Sequence, residues 1–255
     1  MKIYRYRHNG KISCGVLKED SLCPVRGSIF GKFSVKKEKI PISDATLLPP
    51  VIPSKIVAIG ANYKNHIKEM GRQIPEEPLI FLKPPSSLVG PNDIIVYPKM
   101  SKRVDYEGEL ALIIKKRAHL LRDEESTEDY ILGYTCFNDV TARDLQKKDV
   151  QFTRAKSFDT FAAVGPCIAT DVEPEGLRLK TFLNGKLKQS SSLRNLIFPV
   201  PFIVRYISMI MTLEPGDIIT TGTPAGVGPM SPGDRVDIQI EGIGTLSNTV
   251  MKVKS

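Results

Sequence analysis

An α+β, β-rich fold with a small N-terminal β domain is what this 255-residue sequence predicts. Three features carry that expectation. Segments with strand-type alternation or short apolar runs outnumber helical ones. Helices fall between strands without the regular rhythm of βαβ units, which argues against a doubly wound sheet or an eightfold barrel. A proline-rich stretch, closing in Leu48-Pro49-Pro50-Val51-Ile52-Pro53, disfavours helix and suits an extended linker, so the chain divides into residues 1–50 and 51–255.

The elements follow in order. Residues 1–7 and 11–17 flank His8-Asn9-Gly10, and Asn-Gly favours a tight hairpin turn. Residues 55–60 form a short buried strand, and a helix is expected over 63–70 with Gly71 as its stop. Strands are expected over 79–83, 93–97 and 107–114, a helical stretch over 126–130, and a strand over 131–138. Residues 141–148 read as a helix, with Thr141 and Asp144 in capping-box spacing. Leu177 to Asn184, then Gly185 and Lys186 onward, suggest another hairpin. Residues 201–211 have helical periodicity, and strands at 217–221, 235–240 and 245–253 finish the chain.

Composition excludes several classes. A chain of this length can bury a sizeable core, and 41% apolar with 25% charged residues is ordinary for a globular protein. The formal charge of +8 is scattered in short clusters such as Lys36-Lys37, Lys115-Lys116-Arg117 and Lys147-Lys148. No arginine-rich run or basic–aromatic interleaving is present, so a solvated basic surface is expected and no nucleic-acid partner. Cys14, Cys23, Cys136 and Cys167 form no C-x-x-C pair, which argues against structural zinc and for reduced thiols. The N-terminal residues lack the apolar stretch of a signal peptide, and no run of about 18 apolar residues exists. A cytoplasmic protein with no membrane partner is the expectation.

The most informative stretch is Val104-Asp105-Tyr106-Glu107-Gly108-Glu109-Leu110. In one strand, Asp105, Glu107 and Glu109 share a face, with neighbours roughly 6–7 Å apart. Apolar residues follow, so this end enters the interior, where converging acids repel one another and lose solvation. A bound cation removes both problems, and oxygen-only ligands point to Mg²⁺, with Mn²⁺ or Ca²⁺ as alternatives, rather than zinc. By spacing alone, acids on a solvated strand face are the commoner arrangement. Asp139, between a strand and a helix, is a candidate third ligand, though Asp139 or Thr141 could equally cap that helix.

Five segments resemble the fumarylacetoacetate hydrolase family. They are Gly60-Ala61-Asn62-Tyr63 with His66 and Glu69; Asp105-Tyr106-Glu107-Gly108-Glu109-Leu110; Asn138 through Gln146; Arg154-Ala155-Lys156-Ser157-Phe158-Asp159; and Gly216 through Gly228. They keep the family's order from about residue 53 onward, while the first fifty residues match only loosely. The resemblance implies a fumarylacetoacetase-like catalytic fold, a homodimer, and a divalent ion held by Glu107, Glu109 and Asp139. Asp105 occupies a position that varies between subgroups and is not counted as a ligand.

The resemblance also assigns roles. The ion chelates a small 2-oxo acid substrate, Lys156 adds positive charge near the developing oxyanion, and His66 with Glu69 forms a water-activating dyad. Three residues apart on a helix, His66 and Glu69 share one face, although an exposed polar helix face has the same spacing. Gln146 and Arg143 are expected as substrate-binding residues, with Gln146 facing the substrate and bracing of the site as the alternative role for Arg143. The loop at Gly222 and Thr223 can aim backbone amides and a hydroxyl at a carboxylate. His8 and His119 fit no motif. The expected activity is hydrolysis of a C–C bond in an acylpyruvate-type acid. Isomerisation of a hydroxyheptadienedioate-like acid and decarboxylation of an oxaloacetate-like acid are the alternatives within the family. A non-catalytic anion-binding protein is the alternative outside enzymes.

Overall fold

Leu110, Leu112 and Ile114 enter one apolar core, and Ala111 and Ile113 enter another. That alternation is the period-two geometry of a strand buried on both faces. It belongs to the strand Gly108–Ile114, every residue of which is buried. A computed structural model of the chain describes residues 1–69, 71 and 73–252. Met70 and Val253, at the expected ends of a helix and a strand, lie outside the described residues.

Among the described residues, a large sheet runs Phe33–Val35, Ser21–Gly27, Lys11–Lys18, Lys2–His8, Ala162–Ala169, Ile131–Asp139, Gly108–Ile114, Ile218–Thr220, Ile56–Gly60, Leu79–Lys83. The strands of residues 1–50 thus continue the sheet, because Lys2 and Ile3 pair with Ala169 and Ile168. The expected hairpin is present: Lys2–His8 and Lys11–Lys18 are joined by Asn9 and Gly10, both at positive φ. A five-stranded sheet, ordered Ile94–Tyr97, Gly244–Lys252, Arg235–Ile240, Arg178–Leu183, Lys186–Ser192, supplies Val236, Ile238, Ile240, Leu246 and Val250 to the first core. The β-rich α+β class is therefore right, and the longest described helix, Val200–Ile210, has 11 residues.

Three expectations need correction. Residues 104–114 are not one strand. Val104–Tyr106 pairs with Thr141–Ala142 and Gly228–Met230 in a third small sheet, and the chain re-enters the large sheet at Gly108. Asn138 Oδ1 accepts the Glu107 amide at 3.0 Å and holds this break open. The helix after Asp139 is Arg143–Lys148, and it has no side-chain cap. Thr141 instead donates to Asp139 O at 2.8 Å, and Asp144 accepts from Ser101 Oγ at 2.6 Å and the Lys102 amide at 2.8 Å. Finally, the central strand Ala162–Ala169 corresponds to no expected element. Its AAVGPCIA sequence is made of small residues and a proline, which carry little strand propensity.

Candidate active site

Three buried carboxylates meet where the large sheet ends. Glu107 sits at the strand break, Glu109 is the second residue of the strand Gly108–Ile114, and Asp139 ends the strand Ile131–Asp139. One oxygen from each lies within 4.8 Å of the other two, and all three residues are buried. The Asp139 amide donates to Glu107 O at 2.9 Å, so the backbone itself clamps two of the acids together.

Cations line one side of the cluster. Lys156, at the end of the short helix Thr153–Lys156, donates to Glu107 Oε2 at 2.9 Å and Asp139 Oδ2 at 2.5 Å. Its ammonium also lies 5.0 Å from the centre of the Phe81 ring. Lys83, which no sequence motif singled out, donates to Asp139 Oδ1 at 2.5 Å. Arg143 bonds Glu107, Asp105 and Gln146, with the Asp105 contact at 2.9 Å and the Gln146 contact at 2.6 Å. Through these contacts it braces the acids. Asp105 turns toward Arg103 and Arg143 and stays outside the carboxylate triad.

The charges divide unequally. Burial opposes ionisation of Glu107, but Lys156, Arg143 and His66 outweigh it and hold its carboxyl well below the usual range. Burial also opposes the Lys156 ammonium, and Asp139 and Glu107 overcome that and raise it. Lys83 is drawn down by burial against the pull of Asp139. Glu109 has no lysine or arginine within hydrogen-bonding distance among the described residues. Burial, then the charges of Asp139 and Glu107, push its carboxyl well above the usual carboxylate range. A divalent cation among these oxygens would reverse that. The donor set is all oxygen, hard and enclosed, which suits Mg²⁺, Mn²⁺ or Ca²⁺.

A cavity of about 40 Å³ opens on the triad. His66, Gln146, Arg143, Lys156 and Thr223 form its polar wall, and Ile59, Leu79, Phe81 and Phe152 its apolar wall. Phe81 and Phe152 meet edge to face with ring centres 5.6 Å apart. His66 lies on the helix Lys64–Glu69 and is buried, with Nδ1 3.1 Å from Glu69 Oε2. Glu69 is fixed in turn by the Gly226 amide, 3.2 Å from Oε1. His66 therefore faces the cavity, and Glu69 holds it from an exposed position on the same helix. His8 and His119 lie elsewhere, bonded to Asp44 O and Thr212.

The 222–226 loop is placed differently from expectation. The Gly222 amide is already committed to Glu109 Oε2 at 2.9 Å, so it orients an acid of the triad and is not free for a substrate carboxylate. Thr223 reaches the cavity wall, but its hydroxyl donates to Gly108 O at 2.9 Å and accepts from Gln189 Nε2 at 2.8 Å. Gln189 also accepts the Gly108 amide at 3.0 Å, tying loop and strand together. Asn62, within the Gly60-Ala61-Asn62-Tyr63 motif, bonds Thr221 O at 2.8 Å and the Phe198 amide at 2.7 Å. Gln189 and Lys83 carried no sequence signal, because each is defined by partners far along the chain.

Residues 55–251 match the model of the fumarylacetoacetate (FAA) hydrolase C-terminal family. The chain belongs to that family. Residues 1–50 match a separate model, Rv2993c-like, N-terminal. Among its relatives, this FAA hydrolase family chain is 43% identical to oxaloacetate tautomerase YisK of Bacillus subtilis over 82% of its own length and 74% of that protein's. The structure of 2-hydroxyhepta-2,4-diene-1,7-dioate isomerase from Mycobacterium marinum superposes with a TM-score of 0.92 at 42% identity, covering 100% of both chains. Maleylpyruvate hydrolase from Sphingobium sp. SYK-6, solved with manganese(II) ion and pyruvate, gives a TM-score of 0.82 at 30% identity over 100% of both chains. Named relatives of this FAA hydrolase family member are thus enzymes, and they include tautomerases, isomerases and hydrolases. No helix among the described residues is long and apolar enough to cross a membrane.

Proposed function

We propose that this protein moves a proton next to the carbonyl of a small, metal-chelated 2-oxo acid, with oxaloacetate-like acids as the substrate class. One observation carries this: Glu107, Glu109 and Asp139 share a small cavity with Lys156 and with the His66–Glu69 pair. When bound by the three acids, a divalent ion would supply a Lewis acid for the 2-oxo group and its neighbouring carboxylate.

The chain's own groups supply the rest. Glu69 accepts from His66 Nδ1, which leaves Nε2 as the ring nitrogen that takes or returns a proton. Proton loss from the carbon beside the carbonyl leaves negative charge on the 2-oxo oxygen, and the Lys156 ammonium on the cavity wall offsets it. Phe81, Phe152, Leu79 and Ile59 give the other side of the cavity an apolar wall. The likeness to an oxaloacetate tautomerase at 43% identity supports oxaloacetate-like acids as the substrate class.

This places tautomerisation ahead of the acylpyruvate hydrolysis expected from the motifs. Hydrolysis is the second reading, favoured by the same His66–Glu69 pair, which can equally deprotonate a water. A homodimer with residues 1–50 as a small N-terminal domain completes the proposal, and sedimentation of the purified protein tests the dimer. Activity is tested with Mg²⁺ or Mn²⁺ on enol-oxaloacetate, acetylpyruvate and a hydroxyheptadienedioate. Accelerated loss of the enol absorbance without pyruvate release is the expected result. Pyruvate release from oxaloacetate would mean decarboxylation. Cleavage of acetylpyruvate with no effect on the enol would put hydrolysis first.

A further inference from the structure

Lys83 is among the largest side chains fully removed from solvent, yet it is not part of the cavity wall. It ends the strand Leu79–Lys83, opposite Ile56. Strand alternation puts Leu79, Phe81 and Lys83 on one face, and the first two line the cavity. Lys83 is the next step along that face and reaches Asp139 from behind.

The two oxygens of Asp139 are divided between two lysines. Lys83 Nζ lies 2.5 Å from Oδ1 and 3.3 Å from Val140 O. Lys156 Nζ lies 2.5 Å from Oδ2 and also bonds Glu107. Lys156 lines the cavity, whereas among the described residues Lys83 bonds to the site through Asp139 and the backbone beside it.

We propose that Lys83 is a positioning residue, which turns Asp139 Oδ1 into the protein so that Oδ2 faces Glu107 and the ion the triad takes. The inference rests on the reading that the triad holds a divalent ion. With Lys83 on Oδ1 and Lys156 on Oδ2 the two oxygens cannot exchange places; without Lys83, Oδ1 loses its partner and the carboxylate can turn about the remaining Lys156 contact. Packing alone does not account for a lysine here. A buried ammonium gives up hydration that two acceptors replace only in part, and an apolar side chain of similar volume would pack as well or better. Groups that orient metal ligands in this way typically change ion affinity by about 10- to 100-fold when removed.

The test is Mn²⁺ binding without substrate, followed by electron paramagnetic resonance of the free aqua ion, for wild type, Lys83→Met and Lys83→Gln. Thermal unfolding and circular dichroism are recorded in parallel. Lys83→Met should fold and bind Mn²⁺ about 10- to 100-fold more weakly. Lys83→Gln is neutral and shorter but more tolerant of a polar site, so it carries the test if the methionine variant does not fold, with the same weakening expected. A purely structural ion pair would lower the melting temperature while the folded variant kept its Mn²⁺ affinity. A change of less than about threefold in the folded variant overturns the inference, given the range such contacts span. If wild type binds no Mn²⁺, the ion reading falls and the role of Lys83 with it. If wild type binds and the variants match it, Lys83 alone is removed.

Discussion

The Gly222 amide reaches Glu109 Oε2 at 2.9 Å, so a loop from the last quarter of the chain orients an acid on the central sheet. Gly222 does so at φ +91, and a Cβ there would stand 2.9 Å from Asn62 Cβ and 3.1 Å from Ile59 O. Gly222→Ala is therefore strained in both conformation and space, and should destabilise the fold by about 1–3 kcal/mol. It should also weaken Mn²⁺ binding, because the displaced amide no longer fixes Glu109. Denaturant unfolding and Mn²⁺ titration check the two effects separately; wild-type ion affinity would show that Glu109 does not depend on this amide.

The proton-transfer role of His66 separates from ion binding. His66→Ala should lower kcat by about 10²- to 10⁴-fold, the usual span for loss of a general acid–base group. Its Mn²⁺ affinity should stay near wild type, because His66 is not in the carboxylate triad. Glu69→Gln should lower kcat less, since an amide can still accept from Nδ1–H and from the Gly226 amide. Full activity in His66→Ala would remove the pair from the mechanism.

The parts of the site that were legible in the sequence are those whose meaning is local. Glu107 and Glu109 are two residues apart, and Asp139 shares one short motif with Arg143 and Gln146; spacing alone left a solvated strand face open, and the resemblance carried by these motifs singled the three acids out. Lys156 and the His66–Glu69 pair likewise announce themselves within short motifs. The hairpin at Asn9-Gly10 was legible for the same reason, because two positive-φ residues specify the turn unaided. What stayed hidden depends on tertiary contact. Lys83 gains its meaning from Asp139, 56 residues away, and Gln189 from Gly108, 81 residues away. The break at Glu107 is likewise not local, because the Glu107 amide is bonded by Asn138 from another strand. Ala162–Ala169 is central because neighbours cover both its faces, not because its residues favour extension.

Asp217 governs a different property. It lies in the Gly216–Gly228 motif but holds the fold instead of the cavity, accepting from the Ser54 amide at 3.0 Å, Ser54 Oγ at 2.6 Å, the Lys55 amide at 3.1 Å and Lys55 Nζ at 2.5 Å. Burial opposes its ionised form, but the Glu214 amide, Lys55 and Ser54 outweigh burial and hold its carboxyl below the usual range. A carboxyl depressed in the folded state adds stability that is complete above its unfolded value of about 3.9. That stability is lost as pH falls through the lower folded value. Asp217→Asn should cost about 2–4 kcal/mol at pH 7, by analogy with breaking buried ion pairs. The gap from wild type should begin to narrow below about pH 4, as the unfolded carboxyl takes up a proton, and close only below the lower folded value. Urea unfolding at pH 7 and pH 3.5 reads the difference, and an equal gap at both would show that the charge contributes nothing.

Ion loading should stabilise the fold most where Glu109 has to be ionised. Its carboxyl is raised by burial and by Asp139 and Glu107, so the chain alone gains from a protonated Glu109 below the unfolded value of about 4.3. That gain is lost as pH rises through the raised folded value, leaving three buried acids in mutual repulsion. A divalent cation relieves the repulsion and displaces the proton, so binding is favoured by higher pH. At about 100 times its dissociation constant, the ion should add roughly 2.7 kcal/mol to unfolding free energy. Melting temperature should therefore rise with Mg²⁺ or Mn²⁺, rise more at pH 8 than at pH 5.5, and fall back on chelation with EDTA along with activity. Glu109→Gln removes the titrating carboxyl and one ligand together, so its metal-induced shift should be small at both pH values. A shift in wild type that is independent of pH would separate ion binding from Glu109 and require a different ligand set.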